Sequence, residues 1–199
     1  MRSIVLAAGC FVTAFGQEAK PVIDNERVTV WDVTWTKGTT NPARGHDRDA
    51  VVLGIEGAKA QTASFSPKSD RRDERGVADS HPPRSLVIEL KDFPVAPLEN
   101  KTGLPLAFPR PHVKKLLEND RVIVWSYRWN PGEPTPMHYH DKDVVVVYLD
   151  DAALTSTTPA GAKTLNEYKA FDIRFNKRDR THTELLEHGT GSAMMMELK

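Results

Sequence analysis

The stretch Asn25-Glu26-Arg27-Val28-Thr29-Val30-Trp31 returns at an offset of 94 residues as Asn119-Asp120-Arg121-Val122-Ile123-Val124-Trp125. Without a gap the correspondence runs on through Trp35 and Trp129, Gly38 and Gly132, Pro42 and Pro136, His46 and His140, Asp47 and Asp141, and Asp49 and Asp143. It ends at Val51-Val52 and Val145-Val146, with 13 identities in the 33 positions from Asn25 to Gly57. That density at one fixed spacing is far above chance and limits the chain to two copies of one supersecondary unit. The halves also close alike, Leu86-Val87-Ile88-Glu89-Leu90-Lys91 against Met194-Met195-Met196-Glu197-Leu198-Lys199. Between these ends, Ser64-Phe65-Ser66-Pro67-Lys68 matches Arg174-Phe175-Asn176-Lys177 at an offset of 110, so the first copy lacks about 16 residues that the second has. The surplus, Thr155 to Ala170, holds the turn Pro159-Ala160-Gly161 between two strand-like runs and reads as a hairpin lost from the first copy.

Short runs rich in β-branched and aromatic residues recur between Gly, Pro, Asn and Asp, and no long apolar pattern of period 3.6 interrupts them. Such spacing predicts an all-β sandwich or barrel in each copy. Residues 92–118 join the copies and carry Pro94, Pro97, Pro105, Pro109 and Pro111, the composition of an extended linker rather than a packed element, with one helical turn over His112 to Asn119. The expected organisation is a first repeat at 17–91, the linker at 92–118 and a second repeat at 119–199. Trp125, Tyr127 and Trp129 share one face of a strand, as do Trp31, Val33 and Trp35, and an aromatic row at period two is read as barrel core, with the mouth of a cavity as the alternative for Tyr127 and Trp129. Met194, Met195 and Met196 read as packing of the last strand.

Lysine plus arginine equal aspartate plus glutamate at 27 each, so no net basic field invites nucleic acid. The first 16 residues, a basic start, an apolar stretch and then the small residues Ala14 and Gly16, read as a secretory signal cleaved before Gln17. Leu6-Ala7-Ala8-Gly9-Cys10 also loosely resembles a lipoprotein box. Cleavage at Gly16 removes Cys10, the only cysteine, leaving neither a disulfide nor a thiolate ligand. No later apolar run approaches the roughly 20 residues of a membrane span. A periplasmic or secreted protein is expected, checked by the mass of the mature N-terminus in the native host.

The segment Gly132-Glu133-Pro134-Thr135-Pro136-Met137-His138-Tyr139-His140-Asp141-Lys142-Asp143 runs into the apolar Val144-Val145-Val146-Val147-Tyr148-Leu149. Its Gly and Pro residues make a tight turn into a buried strand. Two histidines one residue apart on an extended chain face the same side, about 7 Å apart at the backbone for a rise of about 3.3 Å per residue, so both imidazoles can converge on one ion.

Gly132, five residues, His138, one residue, His140 resembles the first motif of the cupin superfamily. Phe171-Asp172-Ile173-Arg174-Phe175 through Arg180-Thr181-His182-Thr183-Glu184 resembles the second. The resemblance implies two tandem small jelly-roll (cupin-type) β-barrels, the second of them metal-binding, with His182 as the third ligand beside His138 and His140. Many cupins place a glutamate four or five residues after the second histidine. Here Val144 and Val145 stand at those places and the nearest carboxylate is Asp143, read as a catalytic or supporting group outside the ligand set, or as a residue serving the turn, since its counterpart Asp49 is also kept. In the first copy Arg44 faces His138 and Arg72 faces His182; guanidiniums cannot donate a lone pair to a metal, so with only His46 retained that barrel is expected to be metal-free.

The expected cofactor is therefore one divalent transition metal per chain, Fe, Mn, Co, Ni, Cu or Zn, among which three imidazoles do not choose. Two functions follow: a mononuclear metal-dependent enzyme, dioxygenase- or isomerase-like, acting on a small polar metabolite, or an exported ligand-binding or structural protein whose metal fixes the fold. The expected partner is a small-molecule ligand or substrate, without nucleic acid or a membrane span; a homodimer stays open. His81, His112 and His188 lack partners at ligand spacing and are expected to be exposed.

Overall fold

A computed structural model of the chain describes residues 20–34, 48–56, 60–68 and 84–199. The leader expected over residues 1–16, and with it Cys10, as well as Trp35, Arg44, His46, Arg72 and His81, lie outside the described residues. Every regular element among the described residues is a β-strand. Strands β1 (Ile23–Asp24), β2 (Val28–Thr34), β3 (Asp49–Glu56), β4 (Ala60–Ser66) and β5 (Arg84–Leu90) form one sheet in the order β1-β2-β5-β3-β4. Further on come β6 (Val113–Glu118), β7 (Val122–Arg128), β8 (His138–His140), β9 (Asp143–Tyr148) and β10 (Ala152–Thr157). They are followed by β11 (Lys163–Tyr168), β12 (Ile173–Asn176), β13 (Arg180–Gly189) and β14 (Ser192–Leu198). These make a second five-stranded sheet, β12-β9-β14-β7-β6, and a four-stranded sheet, β11-β10-β13-β8. All the ladders are antiparallel, and the C-terminal half is a two-sheet jelly roll. The hairpin β10–β11 closes where Pro159-Ala160-Gly161 stands.

The two five-stranded sheets share register. Val28 lies opposite Leu90 and Val122 opposite Leu198; Asp49 pairs with Leu90 and Asp143 with Leu198; Val51 faces Phe65 and Val145 faces Phe175. Alternation then sorts the strands into layers. Val28, Val30, Val51, Leu53, Leu86 and Ile88 meet Val122, Val124, Val145, Val147, Met194 and Met196 in one core between the two sheets. On the opposite face of the C-terminal sheet, Val144, Val146, Trp125, Tyr127, Trp129 and Met195 line a second core within the C-terminal jelly roll. The valine run is continuous because β9 is buried on both faces.

Two expectations for residues 92–118 give way here. Val113 to Glu118 is a strand, not a helical turn: it pairs with β7 through a register shift between Lys115 and Leu117. That irregularity places Leu116 and Leu117 against the inter-sheet core while Val113 packs on the other one, so a β-bulge produced the spacing that resembled a helix. The Pro-rich stretch before it is packed rather than free. The Ala107 amide donates to the Tyr139 carbonyl at 2.9 Å, the Tyr139 amide to the Pro105 carbonyl at 2.9 Å, and Ala107 and Phe108 are buried in the C-terminal core. Pairing to β8 satisfies the backbone while proline fixes its extended shape.

Candidate metal centre

Asn130-Pro131-Gly132-Glu133 forms the turn that delivers the first two histidines. The Glu133 amide donates to the Asn130 carbonyl at 3.2 Å, and Gly132 has φ +73, with proline before it, as a type II turn requires. The following loop is tied to β13 by Thr135, whose amide donates to the Glu184 carbonyl and whose hydroxyl accepts from the Glu184 amide, both at 2.8 Å. Strand β8 then pairs with β13 so that His138 lies directly opposite His182 and His140 opposite Arg180. Residues opposite one another have Cβ atoms about 5 Å apart, and His140 joins the same face by the two-residue period. The three rings form a nearly equilateral group, with centroids 5.0, 4.8 and 5.0 Å apart.

All three histidines are buried, and one donor nitrogen from each lies within 4.8 Å of the others. His138 Nε2 and His140 Nε2 are 3.2 Å apart. Two nitrogens bound to one tetrahedral ion at about 2.0–2.1 Å stand roughly 3.3 Å apart, so this spacing suits a shared cation. His138 Nδ1 is 2.8 Å from the Pro136 carbonyl oxygen, which only accepts; Nδ1 therefore carries the hydrogen and Nε2 presents its lone pair to the cluster. Burial, and after it the Arg110 charge, lowers the His138 pKa to about 4. Burial and then Arg180 push His140 well down, and burial outweighs the favourable Glu184 charge to lower His182 as well. All three rings are neutral near pH 7, the form a metal needs. The cavity that His140 and His182 border has a volume of about 20 Å³, enough for one ion or water.

Asp143 is not brought to the imidazoles. Its Oδ2 accepts from Arg27 Nη1 at 3.0 Å and its Oδ1 from the Arg178 amide at 2.8 Å, so both oxygens are engaged where the two halves meet. The catalytic reading of Asp143 is corrected accordingly. Asp49 repeats the arrangement, accepting from the Lys68 amide at 2.9 Å and from Arg121 Nη1 at 2.7 Å. The aspartate persists in both copies because each copy's arginine crosses to the other's aspartate.

The carboxylate that does reach the site is Glu184, two residues after His182 and on the same face of β13. Its Oε1 lies 3.8 Å from His182 Nε2, and its Oε2 accepts from the Trp129 indole at 3.1 Å and stands 3.7 Å from Arg110 Nη2. Burial pushes its carboxyl up, but Arg110, the imidazoles and the indole together hold it below the usual value. Trp129 is core, as read, and also fixes this carboxylate. Arg180, His182 and Glu184 alternate at period two, a signal present in the sequence. Arg110 left none, because its segment is placed by long-range pairing with β8. His112 and His188 are exposed and away from the cluster. Two larger clefts, about 390 and 410 Å³, border Lys91, Asp92 and Phe93 and share no residue with the triad.

No family model matches the chain. Over 60 residues it is 42% identical to the beta-alanine degradation protein BauB of Pseudomonas aeruginosa, a stretch that is 30% of this chain and 59% of that protein's length. A cupin domain from Bordetella pertussis Tohama I is 24% identical over 46% of this chain and 97% of its own, with a TM-score of 0.40. A cupin 2 conserved barrel domain protein from Leptotrichia buccalis matches 91% of this chain and 88% of its own at 13% identity and a TM-score of 0.50. The antiparallel jelly roll and a likeness that spans both halves give this chain a cupin fold.

Proposed function

We propose that His138, His140 and His182 hold one divalent transition metal ion, Fe, Mn, Co, Ni, Cu or Zn, and that the chain is a metal-dependent enzyme acting on a small polar metabolite. The observation that carries this reading is the spacing of the ring nitrogens: His138 Nε2 stands 3.2 Å from His140 Nε2, while His138 Nδ1 lies 2.8 Å from the Pro136 carbonyl oxygen, a contact that leaves Nε2 to ligate an ion. A bound ion of this kind polarises an oxygen ligand or lowers the pKa of bound water. Trp129 orients Glu184, which stands beside His182 as a proton acceptor or as a charge partner. The stretch shared with a beta-alanine degradation protein supports a small metabolite.

Elemental analysis of protein purified without added metal tests the site. Near one equivalent is expected in the wild type and almost none in His182→Ala, whereas His46→Ala keeps its metal. A stoichiometry near two would show that the first copy also binds. The small cavity at the triad favours a second reading, a metal that only fixes the fold. In that case the loaded protein melts higher than the metal-free one yet shows no turnover with Fe(II) and oxygen across a metabolite panel.

A further inference from the structure

Two guanidiniums stand beside the three imidazoles. The Arg110 side chain is only 5% exposed. Its carbon centre lies 4.0 Å over the Tyr127 ring and 4.9 Å from that of Phe108, faces that offer no in-plane acceptor. Nη1 is 3.3 Å from His138 Nε2, Nη2 makes only the 3.7 Å approach to Glu184, and Nε is buried with no hydrogen-bond partner among the described residues. For a group with five N–H donors this is poor satisfaction in a buried place. Arg180 lines the same cavity, with its Nε donating to the Lys177 carbonyl at 2.5 Å.

Charge and lone pairs lead to the same conclusion. Two guanidiniums against one carboxylate leave an excess positive charge around neutral rings, and a divalent ion adds two more. Buried charge of one sign is costly unless it is paired. An imidazole nitrogen has a single lone pair, so His138 Nε2 cannot serve both a metal and Arg110. Once the ring ligates an ion, Nη1–H loses its acceptor and joins Nε–H in needing one. The nearest carboxylate, Glu184, stands 3.7 Å from Nη2, beyond hydrogen-bond distance.

We propose that the site takes a small carboxylate ligand, bound at the metal through its head and clamped by the Arg110 guanidinium; this rests on the three-histidine reading above. A planar fork of donors matches a carboxylate's two oxygens, which a neutral amide does not. With about 20 Å³ free and Val144, Val146 and Met195 lining the cavity beside its polar groups, the ligand is limited to a carboxylate with a very short apolar chain.

The test uses the full chain loaded with Co(II), whose visible absorption reports its ligands, titrated with acetate and with acetamide as the neutral isostere. Acetate is expected to shift the bands and acetamide is not. Arg110→Gln is expected to weaken acetate about 10- to 100-fold, the scale of a charge-assisted hydrogen bond, while Co(II) stoichiometry stays at the wild-type value. Arg110→Lys, which keeps the charge without the fork, should fall between. Equal responses to acetate and acetamide in the wild type overturn the proposal, as does an Arg110→Gln protein with wild-type acetate affinity. Should neither variant fold, the wild-type comparison decides by itself. A wild type that binds no Co(II) overturns the three-histidine reading and this proposal together, whereas Co(II) bands indifferent to acetate overturn this proposal alone.

Discussion

A buried carboxyl shows how one residue couples stability to pH. Glu197 is 4% exposed, on β14, and its Oε2 accepts from the Trp125 indole at 2.8 Å. Burial raises its pKa against that hydrogen bond, so the folded chain holds a proton at a pH where the unfolded chain has released it. The contribution is complete below the unfolded value, near 4.5, and is lost as pH rises through the higher folded value. Glu197→Gln keeps an acceptor for the indole and does not titrate. Its melting temperature is expected to exceed the wild type's at pH 7 and to equal it near pH 4, as read by calorimetry across pH. His138 and His140 were legible because a two-residue spacing on a strand has only one geometric outcome, whereas His182 was implied by the resemblance alone. Glu184 was legible in principle from the same period, while Arg110 was not, since nothing local in Phe108-Pro109-Arg110-Pro111 says which side chain its segment will meet.

Among the elements, the turn before β8 is set by local chemistry. Gly132 adopts φ +73, where a Cβ costs about 1–2 kcal/mol, yet a Cβ built there meets nothing within 4 Å. Gly132→Ala should therefore lower unfolding stability by about that amount in urea titration while leaving metal stoichiometry unchanged. The two asparagines that open the repeats act in the same local way. Asn25 Oδ1 accepts the Arg27 and Val28 amides at 2.8 and 3.0 Å, and Asn119 Oδ1 accepts the Arg121 and Val122 amides at the same distances. Such turns were readable because the donor and acceptor are neighbours in the chain. Strand β6 was not, because its bulge breaks the alternation on which a strand is recognised.

At the scale of the whole molecule, two crossed ion pairs tie the halves. Arg27 bonds Asp143 and the Lys199 carbonyl, at 3.0 and 3.2 Å; Arg121 bonds Asp49 and the Lys91 carbonyl, at 2.7 and 3.3 Å. The first pair is buried, with side chains 7% and 10% exposed, while Arg121 is 32% exposed. Removing one partner of a buried pair strands the other charge, so Arg27→Met should cost about 3–5 kcal/mol in chemical denaturation. Arg121→Met, nearer to water, should cost about 1 kcal/mol or less. Asp143→Asn should lower stability without lowering metal content, and loss of metal in that variant would put the carboxylate back among the ligands. By itself the sequence determined the all-β class, the turn at Gly132 and the shared face of His138 and His140, because alternation and turn chemistry act over a few residues, while His182 was implied only by the resemblance of its segment to a second motif. Only the tertiary structure decided that the valine strand is buried twice, that Asp143 spans the halves and that Arg110 enters the site. Each of these depends on which sheet face meets which, a choice made by packing between segments tens of residues apart.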